Sequence, residues 1–142
     1  MTLEHKAESA VGSYLKGCVP ADVYAGFRRE EKNIPNVVAE VSDIEELHPN
    51  SGNYRILVDV TTMTHADNNT VTGAAGAHES IAGAVSNALE RDDLREQLTV
   101  NGTGFLVVGI ESTTESPSHI DEVDEVPVYL SKYQLRFVAG HK

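Results

Sequence analysis

Residues 53–70 read NYRILVDVTTMTHADNNT, and the first part of this stretch decides the fold class. From Tyr54 onward every second side chain lies on the same face of an extended chain, and one of these two faces is largely apolar. Such alternation over this length is typical of an antiparallel strand with one face on the core and the other toward solvent. The sequence therefore predicts a long, half-buried strand that ends near His65 and Asp67.

A second alternating segment, residues 128–138, predicts another strand of the same kind. Tyrosine, leucine and phenylalanine lie on one of its faces, and Lys132, Gln134 and Arg136 lie on the other. Three shorter β-prone runs complete the predicted sheet: residues 23–27, 36–41 and 104–111.

Two helices are predicted beside this sheet. The first covers residues 3–16, with Thr2 as its N-cap and Gly17 as its stop. The second begins near His78, and the charged residues 90–98 bend it, restart it or continue it. The expected fold is α+β, an antiparallel sheet with two main helices packed on one face.

One domain is expected to span residues 1–142, with two mobile loops. The first loop lies near residues 67–77 and is rich in glycine and turn-forming residues. The second lies near residues 112–127, which are acidic, rich in serine and threonine, and without hydrophobic periodicity. Long connections of this kind inside a compact domain are usually functional or disordered.

The charge of the chain limits the classes of partner. The formal net charge is -11 and the pI is about 4.8, so the surface repels phosphate backbones and sequence-specific DNA binding is not expected. No apolar run is long enough to span a bilayer, and the polar N-terminal residues predict synthesis in the cytoplasm without a secretory signal. The one cysteine, Cys18, cannot form an internal disulfide.

Candidate chemistry is confined to a few histidines and carboxylates. His65 and Asp67 share a face of an extended strand, and with His78 they offer a metal-dependent hydrolase as an alternative function. The sequence contains no zinc-ligand, EF-hand, nucleophile-elbow or Walker pattern. We therefore expect no catalytic residue, cofactor or metal ligand, and we interpret His65 and Asp67 as the polar end of a core strand near a contact loop.

The order of the segments resembles the tail-terminator (tail-completion) proteins of long-tailed bacteriophages, the group that includes the lambda minor tail protein U. The resemblance covers nearly the full length of the chain. After the first helix, its quoted segments are VYAG (23–26), VSDIEEL (41–47), THAD (64–67), HESIAGAVSNAL (78–89), RDDLREQL (91–98), FLVVGIESTTES (105–116) and YQLRFVAG (133–140).

The resemblance implies a structural virion protein rather than an enzyme. It implies a homohexameric ring at the head-proximal end of the tail tube, which ends tube polymerisation and joins the tail to the head connector or stopper protein. DNA would pass through the lumen without specific binding. The residues expected to contact subunits or partners are Arg28, Arg29, His65, Asp67, Asp121, Glu122, Asp124 and Glu125.

Three other readings stay open at this point. A head-closure (stopper), connector or tube protein differs from a terminator in its position along the virion rather than in its chemistry. A soluble binding adaptor that works as a monomer or dimer is the second alternative, and the hydrolase is the third. For Arg28 and Arg29, a solvated connection between strands competes with a subunit contact.

Overall fold

A mixed sheet of six strands carries three helices on one of its faces in the computed structural model. The structure describes residues 2–26, 35–49, 51–66, 71–102, 104–123 and 126–141, and only the backbone of residues 71–75, 105, 123, 126 and 141. The elements are α1 (Leu3–Lys16), β1 (Asp22–Ala25), β2 (Asn36–Glu46), β3 (Asn53–His65), α2 (Val71–Leu89), α3 (Leu94–Asn101), β4 (Phe105–Glu115), β5 (His119–Val123) and β6 (Val126–His141).

The strands are ordered β1-β2-β3-β6-β4, and β5 pairs with the first part of β6. The long strands β3 and β6 form the antiparallel centre of the sheet, from the pair Asn53↔Gly140 to the pair His65↔Val128. The short strand β1 runs parallel to β2, whereas the other pairings described are antiparallel. The predicted α+β class is confirmed, with a mixed sheet in place of a purely antiparallel one.

The alternation predicted for β3 is present, since Ile56, Val58 and Val60 are buried while the side chains between them are half-buried. The odd-numbered side chains of β6 from Ser131 to Ala139 are buried on the same side of the sheet. Helices α1 and α2 close this core with the faces that their spacing predicted. The buried helical residues include Ala7, Val11, Leu15, Ile81, Val85, Leu89, Leu94 and Leu98.

Helix α1 begins and ends where its capping residues predicted. The Thr2 hydroxyl accepts a hydrogen bond from the His5 N–H at 3.2 Å, and the helix ends before Gly17. The Tyr14 hydroxyl donates to the carbonyl oxygen of Ala88 at 2.6 Å and ties α1 to the end of α2. The charged residues after Leu89 restart the chain as a separate helix, α3, so the described helices number three rather than two main ones.

The predicted loop at residues 67–77 is wrong over its second part, because α2 begins at Val71. Gly73 and Gly76 suggested a flexible connection, since glycine is unfavourable inside helices. The surrounding alanines are strong helix formers, and the later turns of α2 are held against the sheet by buried side chains. Residues 67–70, including Asp67, lie outside the described part of the chain.

The predicted connection at residues 112–127 is also wrong as a segment without regular structure. Its first residues continue β4 to Glu115, residues 119–123 form β5, and β6 begins at Val126. Residues 114–122 are exposed on both faces, so their pairing with β6 leaves no hydrophobic periodicity in the sequence. Strand β2 also extends beyond its predicted end at Val41. It continues through an acidic run to Glu46, which pairs with Tyr54 of β3. The mobility of both loops stays a prediction.

Candidate functional site

The residues predicted to contact partners do not form one site in the described structure. His65 is exposed at the end of β3, and Asp121 and Glu122 are exposed on the edge strand β5. The remaining predicted contact residues lie outside the described part of the chain: Arg28, Arg29, Asp67, Asp124 and Glu125.

The hydrolase alternative uses His65, Asp67 and His78, of which the structure describes His65 and His78. These two histidines are not brought together. Thr64 binds His78 on the helix side of the sheet, so the next residue, His65, points to the opposite face. His78 is buried on the side of α2 that faces the sheet, whereas His65 is exposed. Among the described residues, no group of three or more histidine, cysteine, aspartate or glutamate side chains is placed to hold a metal ion.

His78 instead joins helix α2 to the two central strands. Its Nδ1 lies 2.8 Å from the Thr64 hydroxyl of β3, and its Nε2 lies 3.1 Å from the Ser131 hydroxyl of β6. The ring of Tyr129 lies against it, with centroids 5.7 Å apart. Burial lowers the pKa of His78 below its ordinary value, although the nearby Glu79 opposes this shift. This contact orders α2 on the sheet.

The pair formed by Ser131 and His78 has the separation of a nucleophile and its base, but not the access. Ser131 is 7% exposed and His78 is 1% exposed, and both lie between α2 and the middle of the sheet. A substrate would have to displace α2 to reach the hydroxyl. We therefore assign this pair to packing.

The face of the sheet opposite the helices carries most of the charged side chains of the long strands. We call it the open face, and we define it by three cross-strand rows. The rows join β2, β3 and β6 in register: Glu45–Arg55–Val138, Asp43–Leu57–Arg136 and Glu40–Asp59–Gln134. Lys132 of β6 lies beyond the third row, with its Nζ 3.5 Å from an Asp59 carboxylate oxygen.

Arg55 is the centre of the first row. Its guanidinium donates to both carboxylate oxygens of Glu111 on β4, at 2.6 and 3.1 Å, and lies 3.9 Å from Glu45. The hydrogen bonds from Arg55 hold the pKa of Glu111 below its usual range, and the charge of Arg136 adds to the effect. Arg55 therefore links three strands of the sheet by side chains as well as by backbone.

A depression of about 410 Å³ opens on this face between β2 and β4. Its floor is Leu57, with Arg136 on one side and Asp43 on the other. Within the described part of the chain Arg136 makes no ion pair, and the Asp43 carboxylate accepts a hydrogen bond from the backbone N–H of Ile44 at 3.0 Å. The depression is lined mostly by polar and charged groups that face solvent.

The two edges of the sheet differ in how they are protected. Strand β1 pairs with β2 only as far as Ala39, and the next edge N–H, that of Val41, donates to the buried Glu8 carboxylate at 2.9 Å. On the other side, β4 carries two register shifts, and Pro117 lies between β4 and β5. Bulges and proline both discourage pairing with another strand. Acidic side chains are exposed along both edges.

The sequence already placed Lys132, Gln134 and Arg136 on the face of β6 that turns away from the apolar side chains. It does not predict Asp43 and Glu45 on this face, because the predicted strand ends at Val41 whereas β2 continues to Glu46. The length of β3 could have indicated them, because the first residues of β3 need a neighbouring strand to pair with, and the acidic run of β2 is that strand. No pattern in the sequence indicates the role of Glu8, because a charged residue in a helix is expected to face solvent rather than the core.

Comparisons with known proteins give little. No family model matches the chain, and no curated protein matches it. The chain is similar to a chain in a solved structure described as "Virion of native gene transfer agent (GTA) particle", at 15% identity and a TM-score of 0.39. The similarity covers 94% of this chain and 87% of that chain. A likeness at this identity and TM-score assigns neither a fold nor a function.

None of the described helices is both long and apolar enough to cross a membrane.

Proposed function

We propose that this chain is a structural virion protein that forms a ring at the head-proximal end of a phage tail tube. The ring ends tube polymerisation and joins the tail to the head connector or stopper protein. The observation that carries the proposal is the order of the elements. The segments on which the resemblance to tail-terminator proteins rests fall in successive elements of one sheet and its helices.

The surfaces of the chain support a ring of copies. A head-to-tail ring needs two different contact surfaces on each subunit. The described structure offers an open face with charged rows and two strand edges beyond its own core. We propose a hexamer, as the resemblance implies.

The contacts with the tail tube and the connector are proposed to use the exposed hairpin of β5 and β6. Asp121 and Glu122 are exposed there, and Asp124 and Glu125 follow in the chain. The predicted pairing of Arg28 and Arg29 with a neighbouring subunit stays a prediction. Because the net charge is -11, DNA in the lumen would be repelled and would slide without specific binding.

The experiment is the native mass of the purified protein, measured alone and with purified tail tubes. We expect a single ring, either free or formed only when tubes are added, and tubes that no longer grow once the ring is bound. Open-ended polymers of this chain alone would identify a tube protein. A ring that binds the connector but leaves tube growth unchanged would identify a stopper.

A protein that stays monomeric, ignores both tubes and connectors and carries metal after purification would overturn the proposal in favour of the hydrolase alternative. Metal content is measured on the same sample by elemental analysis.

A further inference from the structure

The open face carries two columns of opposite charge on strands that do not touch each other. We define the acidic column as Glu40, Asp43 and Glu45 of β2, and the basic column as Lys132 and Arg136 of β6. Strand β3 lies between them. Adjacent strands are about 4.8 Å apart, so the backbones of the two columns are about 10 Å apart. Among the described residues no ion pair joins one column to the other.

The charges of the two columns are only partly balanced by their own chain. Of the three acidic-column carboxylates, Glu45 has an ion pair in the described structure, at 3.9 Å from Arg55. In the basic column, Lys132 lies 3.5 Å from Asp59 and its side chain stays 46% exposed. Arg136 is exposed and without an ion pair among the described residues. Neighbouring carboxylates on one strand repel one another.

The register puts these charges on the same row. Asp43 and Arg136 both lie beside Leu57, one on each side. Leu57 is half-buried and provides an apolar centre between an acid and a base. A surface with this arrangement is complementary to itself, because a second copy can place its basic column over the acidic column of the first.

We infer that the open face binds a second copy of this chain, with the acidic column of β2 against the basic column of β6. Pairing of strand edges is a poorer route, because Glu46 at one edge and Glu122 at the other bring like charges together. The inference goes beyond the proposed ring, since a face that is complementary to itself joins copies in pairs and does not by itself close a ring. Its defining contact is Asp43 of one copy with Arg136 of the other.

The test is a charge exchange at these two positions. D43R and R136D are made separately, and association is measured by sedimentation at low salt for each variant and for an equimolar mixture. Both side chains are exposed, so the variants are expected to fold. We expect each variant alone to associate at least tenfold more weakly than the natural chain. We expect the mixture to recover, because Arg at position 43 of one chain then meets Asp at position 136 of the other.

The double variant D43R/R136D is expected to associate like the natural chain. The matched control is D92R, which makes the same change of charge at an exposed position before α3 and should leave association unchanged. A monomeric natural chain, unaffected single variants, or a mixture as weak as its components would each overturn the inference.

The same variants separate this inference from the proposed function. If D43R and R136D associate as strongly as the natural chain, form rings on tail tubes and stop their growth, the ring stands and the open-face contact falls. If the charge exchange behaves as expected but no assembly ever binds a tube or connector, the contact stands and the ring function falls.

Discussion

The buried side chain of His78 makes the stability of the fold depend on pH. Because burial lowers its pKa, the folded protein holds His78 neutral, while the unfolded chain takes up a proton near its ordinary pKa of about 6.5. The contribution of His78 to stability is therefore fully present above about pH 6.5 and is lost as the pH falls below it.

We predict that His78→Gln makes the free energy of unfolding less sensitive to mild acid. Glutamine has no proton to gain, and its amide can still hydrogen-bond with Thr64 or Ser131. Urea unfolding at about pH 7.5 and 5.5 should show a smaller loss of stability for the variant than for the natural chain. His65→Gln, at an exposed position, is the control and should keep the natural loss. Equal losses in all three proteins would contradict this role.

Glu8 is a second buried ionisable residue, and its pH dependence has the opposite sign. Burial raises the pKa of Glu8, although the N–H of Val41 opposes the shift. The charged carboxylate therefore costs stability at neutral pH, and its contribution is most favourable below the ordinary carboxyl pKa of about 4.3. The same carboxylate also accepts a hydrogen bond from the backbone N–H of Val41, which lies on the edge of β2 beyond its pairing with β1.

Two substitutions of Glu8 separate these effects. Glu8→Gln keeps an acceptor for the Val41 N–H and removes the charge, so we predict an unchanged or higher free energy of unfolding at neutral pH. Glu8→Ala leaves the N–H without its acceptor and is predicted to cost about 1–3 kcal/mol. Chemical denaturation measures both. If glutamine proved as harmful as alanine, the charge of Glu8 would be needed for a reason other than this hydrogen bond.

At the scale of elements, β5 is the segment that sequence reasoning interpreted least well. Hydrophobic periodicity reports which face of an element is buried, and β5 has exposed residues on both faces. Its pairing with β6 depends on backbone hydrogen bonds that any residue except proline can make. The sequence pattern also does not predict the helical start at Val71, because Gly73 and Gly76 are unfavourable inside a helix and the buried side chains that hold α2 on the sheet lie further along it.

We predict that the double substitution of Asp121→Lys and Glu122→Lys spares the fold and weakens joining of tails to heads. Both side chains are exposed, so the free energy of unfolding should change by no more than about 0.5 kcal/mol. Joining is measured by counting complete particles after mixing heads with tails. Glu79→Lys with Asp92→Lys, at other exposed positions, is the control for the change of charge. Normal joining by the β5 variant would remove this hairpin from the proposed contact.

At the scale of the whole molecule, the sequence predicted the class of fold and most of its core. Long amphipathic segments such as residues 53–65 and 78–89 carry a strong periodic signal, because one face of each is buried. The open face was predicted only in part. The outward residues of β6 follow from alternation, but the alignment of Asp43 with Arg136 depends on the register across β3, which no local pattern contains.

The position of β6 in the chain has a consequence for synthesis. Strand β6 fills the gap between β3 and β4, yet its pairing with β3 joins residues as distant in sequence as Asn53 and Gly140. At typical ribosomal speeds of about 5–20 residues per second, β3 waits several seconds with one edge unpaired. The nascent chain is therefore most vulnerable to aggregation in the interval before β6 is made. A ribosome that stalls before residue 126 leaves a product in which β3, β4 and β5 all lack the strand that pairs with them.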